Sequence, residues 1–148
     1  MNEIRLRPIG YVEEGLPEEQ RVARRDYIST IRIYDEFVEG LAGLEEYSHI
    51  FVIWYMHRVG EVRLKVRPRR ISEGPEVGIF ATRFPPRPNP IGLTVAELVS
   101  VESPRLRVRN LDAWTGSPVL DIKPYDVLDV VERPKMPEWL KRLLNTDL

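Results

Sequence analysis

Cysteine is absent from the 148 residues. That excludes disulfides and thiolate zinc sites. No apolar run approaches the roughly 20 residues that a helix needs to span a bilayer, and the opening MNEIRLRPIGYV lacks the uninterrupted apolar core of a signal peptide. A cytoplasmic location without a membrane partner is therefore the default expectation. Nucleotide-binding loops are missing as well. No G-x-G-x-x-G follows an apolar run and no Walker loop is present, so neither a Rossmann nor a P-loop site is expected. Histidine is scarce, with only His49 and His57. On one extended strand they would share a face yet stand on the order of 25 Å apart. They could not share one metal ion, and no metal is expected.

What is present is ordinary in amount and unusual in placement. At 43% hydrophobic and 30% charged, residues 1–148 read as one globular domain large enough to bury its own core. The formal net charge is −1, which argues against a grip on nucleic acid by the whole molecule. The charges are segregated, however. Acidic residues gather at Glu13, Glu14, Glu18 and Glu19 and again from Asp35 to Glu46, while basic ones gather in RLKVRPRR (63–70) and RLRVR (105–109). Local patches govern binding even when the sum is near zero.

Short β-type runs dominate. EIRLRPIGYV, DYISTIRIY, SHIFVIWYMH, RLKVR, VGIFAT, LTVAELVSVE, RLRVRNL and PVLDIKPY recur at the spacing of an all-β domain. SHIFVIWYMH is apolar at every second residue on both faces, as in a strand buried on both sides. EFVEGLAGLEEY predicts a short helix weakened by Gly40 and Gly43. PEWLKRLLNT (137–146) predicts a C-terminal amphipathic helix, with Pro137 at its first position and Trp139, Leu140, Leu143 and Leu144 on one face. That face must pack on its own barrel or on a second subunit. The expected fold is mainly β, a single-domain barrel with short helices.

The chemistry-bearing stretch is GIFATRFPPRPNPIGLTVAEL (78–98). Pro85, Pro86, Pro88 and Pro90 stiffen it, so little entropy is lost when a ligand docks. Arg83 and Arg87 offer planar donors to carboxylate or phosphate. Asn89, held between two prolines, offers an amide that can read an amino group. Plain loop rigidity and a polyproline ligand in PPRP are the competing readings, but such ligands usually lie on free tails. In PVLDIKPYD, Asp121, Lys123 and Tyr125 share one strand face, with Leu120 and Ile122 on the other; an oriented polar ligand and a plain surface ion pair explain them equally. The turn LDAWTGSP before them exposes backbone groups. His57, beside Arg58 at a strand end, is a better site candidate than His49. The charges of RLRVR suit a solvated strand face, whereas five cations without an acid in 63–70 suit phosphate.

Together, GIFATRFPPRPNPIGLTVAEL and LDAWTGSPVLDIKPY closely resemble the TsaA-like family, whose characterised members (TrmO) methylate tRNA. GLAGLEEYSHIFVIWYMHR and RPIGYV extend the resemblance across most of 4–126. It implies a homodimeric β-barrel methyltransferase that uses S-adenosylmethionine to methylate the exocyclic N6 amine of a threonylcarbamoyl-modified adenosine beside the tRNA anticodon. Carried over by motif, His57, Arg58, Arg83 and Leu93 would line the cofactor site, and Trp114, Thr115, Gly116 and Ser117 would close around it. Asn89 and Asp121 become candidate acceptors for the amine proton, and Arg87, Lys123 and Tyr125 candidate substrate contacts. Two departures stand out. Family members often carry DGTP where this chain has Thr115-Gly116-Ser117-Pro118, and the early proline-arginine-glutamine stretch is EEQRVARRDY here, with Arg24 or Arg25 as substitutes. The lost carboxylate keeps open a different small-molecule acceptor. A non-catalytic RNA-binding barrel is the other alternative.

Overall fold

The computed structural model describes residues 2–17, 23–68 and 74–146. Six antiparallel strands close into a barrel: β1 (Gly10–Glu14), β2 (Ile28–Ile33), β3 (His49–Tyr55), β6 (Ile91–Glu102), β7 (Arg105–Arg109) and β8 (Pro118–Pro124). They run in the order β1-β2-β7-β6-β3-β8, and β8 returns to β1 through Gly10↔Val119 and Tyr11↔Pro118. Two further strands, β4 (Lys65–Val66) and β5 (Val77–Gly78), form a separate short ribbon.

The barrel follows from period-two alternation. In β2 and β3 every second residue points inward: Ile31 and Ile33, then Ile50, Val52 and Trp54. They meet Val12, Ala96, Leu106, Val108 and Val119 in one core. Each fully buried Ile, Leu or Val contributes about 1.5–3 kcal/mol relative to exposure. Trp54 fits because Gly92 lies directly opposite it; a Cβ at Gly92 would come within 2.4 Å of the indole ring. The 12-residue β6 pairs with β3 along residues 91–97 and with β7 along residues 97–102. This offset is the stagger that closure of a sheet requires.

Several sequence expectations change. The first strand begins at Gly10, and Ile4 and Leu6 lie exposed on a segment without a ladder partner. Pro8, which has no N–H to donate, separates that segment from the barrel. β3 is buried on one face only: His49, Phe51 and Ile53 are half-covered on the outer wall and Tyr55 is exposed. The alternation of β8 breaks at Leu120, because Trp54 pairs with Val119 while Ile53 pairs with Asp121. One extra residue there is a bulge, so Leu120 and Ile122 do not continue a simple pattern. The region expected as a helix forms two 3₁₀ segments, Asp35–Leu41 and Leu44–Glu46. Gly43, at φ 86°, divides them in the left-handed region that glycine tolerates. The C-terminal helix α1 (Glu138–Thr146) starts directly after Pro137.

Candidate functional site

Three chain segments meet at one rim of the barrel. The first is the exit of β3, where His57 and Arg58 form a turn rather than extending the strand. The second is the proline loop that feeds β6. The Met56 N–H donates to the Pro90 carbonyl at 2.8 Å and the Arg63 N–H to the Pro86 carbonyl at 2.9 Å, which fixes the loop beside the 56–63 segment. The third is the turn Trp114–Ser117 at the start of β8.

That turn has a firm seat. Gly116 has φ 88°, a conformation that L side chains rarely adopt. Its N–H donates to the Val12 carbonyl at 2.7 Å, and the Val12 N–H donates to the Ser117 carbonyl at 2.9 Å. The Gly15 N–H donates to Thr115 Oγ1 at 3.0 Å. Gly15 is itself required, since a Cβ there would come within 2.5 Å of the Ala113 carbonyl oxygen. Ser117 is buried, while Trp114, Thr115 and Gly116 face outward.

His57 and Arg58 come against this turn. The Arg58 guanidinium lies over the Trp114 ring, 5.4 Å from its centroid, in cation–π geometry. A Cβ on Gly116 would stand 3.9 Å from His57 Nε2. The structure thus assembles His57, Arg58 and Trp114–Ser117 into one cluster. Leu93 projects from the outer wall of β6, exposed, opposite Ile53.

Within the proline loop the two arginines differ. Arg87 Nη1 donates to the Thr82 carbonyl at 2.8 Å and the Phe84 carbonyl at 3.1 Å, so part of its guanidinium holds the loop together. Thr82 Oγ1 adds a bond to the Ile79 carbonyl at 2.8 Å and accepts the Phe84 N–H at 3.2 Å. The side chains of Arg83 and Asn89 are exposed and make no hydrogen bond or ion pair among the described residues. Prolines alone do not account for the rigid shape of this loop.

Asp121 and Lys123 lie on the outer wall beside β3, opposite Ile53 and Phe51, and their side chains pair at 3.0 Å. Asp121 Oδ1 also accepts the Ile122 N–H at 2.9 Å. Tyr125 follows β8 and packs edge-on against Phe51 and His49. Tyr125 is thus at the His49 end of β3, and His57 lies past the Tyr55 end. Those ends are six residues apart, roughly 20 Å at the usual rise. Tyr125 and His57 do not meet within one chain.

One residue of the site, Gly15, escaped the sequence reading. Gly15 meets Thr115, a residue to which the family resemblance already pointed, across the turn. Arg24 pairs with Asp112 at 3.3 Å, close to Trp114 in sequence. Arg69 and Arg70, the end of the basic run, lie outside the described residues. Among the described residues no group of three or more His, Asp or Glu side chains could hold a metal ion.

A closed six-stranded antiparallel barrel with a cationic, proline-stiffened loop and a glycine turn at one rim defines a small β-barrel protein. The chain belongs to the family of the tRNA-methyltransferase O N-terminal domain, which it matches over residues 11–129. It is 44% identical over 124 residues to an S-adenosyl-L-methionine-binding protein of Archaeoglobus fulgidus, covering 81% of this chain and 88% of that protein. A mouse tRNA (adenine(37)-N6)-methyltransferase is 40% identical over 129 residues, which make up 80% of this chain and 30% of that protein. The crystal structure of TrmO from Pseudomonas aeruginosa superposes with a TM-score of 0.75 at 31% identity, over 94% of this chain and 62% of that one. The chain therefore spans less than two thirds of the solved TrmO chain.

Proposed function

We propose that the protein is an S-adenosylmethionine-dependent methyltransferase whose acceptor is the N6 amine of a threonylcarbamoyl-modified adenosine beside a tRNA anticodon. The observation that carries this reading is the cluster of His57, Arg58 and Trp114–Ser117 beside the Arg83 loop, in a chain of this family. The residues suit the cofactor. Trp114 and Leu93 present apolar surface for an adenine ring, and His57, Arg58 and Arg83 present donors for a carboxylate. When bound, S-adenosylmethionine supplies a methyl group already activated on a sulfonium.

The work left to the protein is orientation. The stiff loop fixes Asn89 at the rim, where its amide oxygen can accept an N–H of the amine and localise the nitrogen lone pair toward the methyl. Asp121 is the second candidate acceptor. Arg87 and Lys123 are the substrate contacts, and a substrate carboxylate would favour these two cations; Tyr125, at the other end of β3 from His57, can join the rim site only from a second copy of the chain. A second copy of the chain covers the outer wall, where Tyr55, Ile91 and Leu93 are exposed side by side, giving the homodimer that the family resemblance implies.

Calorimetric titration with S-adenosylmethionine, wild type against Arg83→Ala, tests the reading first. Micromolar binding lost in the variant, followed by methylation of threonylcarbamoylated tRNA, is the expected result. Binding without RNA methylation would favour a different acceptor, and no cofactor binding would leave an RNA-binding barrel.

A further inference from the structure

A second feature lies on the other side of the proline loop. The loop, the β4–β5 ribbon and α1 enclose a groove of about 1340 Å³. Most small-molecule sites are roughly 300–1,000 Å³, so this one has room for more than a single small ligand. The groove begins at Val59, immediately after Arg58, and includes Arg83, so it is continuous with the rim site.

Its lining combines two properties. Arg63, Lys65, Arg67 and Arg83 face Glu61 and Glu76, an excess of two positive charges among the described residues. The four cationic side chains make no ion pair or hydrogen bond among the described residues. On the barrel wall the pattern is opposite: Arg32 and Arg105 face Glu13, Arg109 faces Glu97 and Lys123 faces Asp121. The second property is an aromatic left open. Phe80 is 78% exposed, yet its backbone is well fixed. The Ile79 N–H donates to the Leu64 carbonyl at 2.9 Å and the Thr82 N–H to the Ile79 carbonyl at 3.1 Å. A solvent-facing phenyl ring on a hydrogen-bonded backbone segment contributes nothing to the core. Trp139 and Leu140 of α1 form the opposite wall.

Unpaired cations that follow a backbone, with an aromatic face on which a base can stack, are the two elements of single-stranded nucleic-acid binding. We propose that this groove binds the unpaired RNA nucleotides that flank the target base, with Phe80 stacking on one base and Arg63, Lys65 and Arg67 contacting the phosphates. Arg83 joins the groove to the rim site. This inference rests on the RNA-methyltransferase reading and adds a surface to it. Charge excess and the open ring favour RNA over an apolar peptide, which would leave four cations unmatched.

Fluorescence anisotropy with a fluorescein-labelled anticodon stem-loop RNA tests it, with a fully paired RNA duplex of the same length as control. Phe80→Ala is expected to weaken stem-loop binding about tenfold, and Phe80→Trp to preserve it. Arg63→Ala/Lys65→Ala/Arg67→Ala is expected to weaken binding and to reduce the dependence of log K on log salt by about 2. Cofactor titration of each variant reports whether the rim site and the fold survive. Stem-loop affinity unchanged in both Phe80→Ala and the triple variant would overturn the proposal, as would equal binding of the duplex, or no RNA binding by a cofactor-binding wild type. Wild-type RNA binding that depends on Phe80 without methyl transfer would overturn the enzyme reading alone and leave the groove standing.

Discussion

Thr115 Oγ1 accepts the backbone N–H of Gly15 at 3.0 Å, joining two residues 100 positions apart. The family's frequent residue at this place is an aspartate, and a carboxylate can accept the same N–H. The departure at Thr115 therefore leaves the seat of the glycine turn intact. Thr115→Val, which removes the acceptor, is expected to cost about 1 kcal/mol in urea denaturation. Thr115→Asp is expected to retain stability and to keep S-adenosylmethionine affinity within about fivefold, under 1 kcal/mol. A larger gain in affinity would mean that the carboxylate serves the ligand directly.

Gly92 lies under the indole of Trp54, and a methyl group there would come within 2.4 Å of the ring. Trp54 is buried and has little room to yield. Gly92→Ala is expected to destabilise the barrel by about 1–3 kcal/mol, the usual range for overpacking. Because β6 also carries the proposed cofactor contact Leu93 on its outer wall, a shift of this strand should weaken cofactor binding in parallel. Stability from urea denaturation and affinity from calorimetry would move together in this variant. Leu93→Ala should lower affinity alone.

Alternation made the barrel legible. The IRI of β2, the HIFVIWY of β3 and the RLRVR of β7 place a large apolar side chain inward at every second residue, and the strands appear there. The same rule misplaced the first strand, because Ile4 and Leu6 alternate correctly but find no neighbour before Pro8. The glycine turn at Gly43 could be suspected, whereas the choice of 3₁₀ over α depends on how the segment packs under the barrel. For the site, the rigid cationic loop was readable from its composition. The inward use of Arg87 was not, since it follows from the path of the loop carbonyls at Thr82 and Phe84. Likewise, the distance between Tyr125 and His57 depends on strand register, and motif spacing does not reveal it.

Glu13 links three strands. Its carboxylate accepts from Arg105 Nε at 2.7 Å and Nη2 at 3.1 Å, and Arg32 of the intervening strand stands 3.8 Å away. The bidentate bond with Arg105 is the main cause that holds the Glu13 pKa below its ordinary value; desolvation opposes it as the next largest effect, and the charges of Arg105 and then Arg32 add smaller lowering effects. A carboxyl group with a depressed folded-state pKa contributes stability above its unfolded pKa and loses it as pH falls through the folded one. The unfolding midpoint should therefore decline on acidification below about pH 4.5, the ordinary carboxyl value. Glu13→Gln should remove part of that decline while leaving the midpoint near neutral pH lower than in wild type. Thermal melts across the acid range, compared for the two proteins, check both signs.

Asn89 and Asp121, the two proposed acceptors of a hydrogen bond from the amine, differ in what already engages them. The Asp121 carboxylate is already engaged by Lys123 at 3.0 Å and by the Ile122 N–H at 2.9 Å. The Asn89 amide sits exposed in the loop between Pro88 and Pro90 with no partner among the described residues. An acceptor that must form its bond as the amine attacks is better supplied by the unengaged group, and Asp121 is better suited to orienting Lys123 toward the substrate. Asn89→Ala is accordingly expected to lower the single-turnover methylation rate by about 10²-fold, the order that one positioned hydrogen-bonding group contributes in a transition state, with cofactor affinity unchanged. Asp121→Asn should instead raise the KM for RNA with a smaller effect on the rate at saturation. If Asp121→Asn abolishes the saturated single-turnover rate while Asn89→Ala retains it, the roles are reversed. Wild-type rates in both variants would remove both residues from the hydrogen bond to the amine and leave a backbone carbonyl as its acceptor.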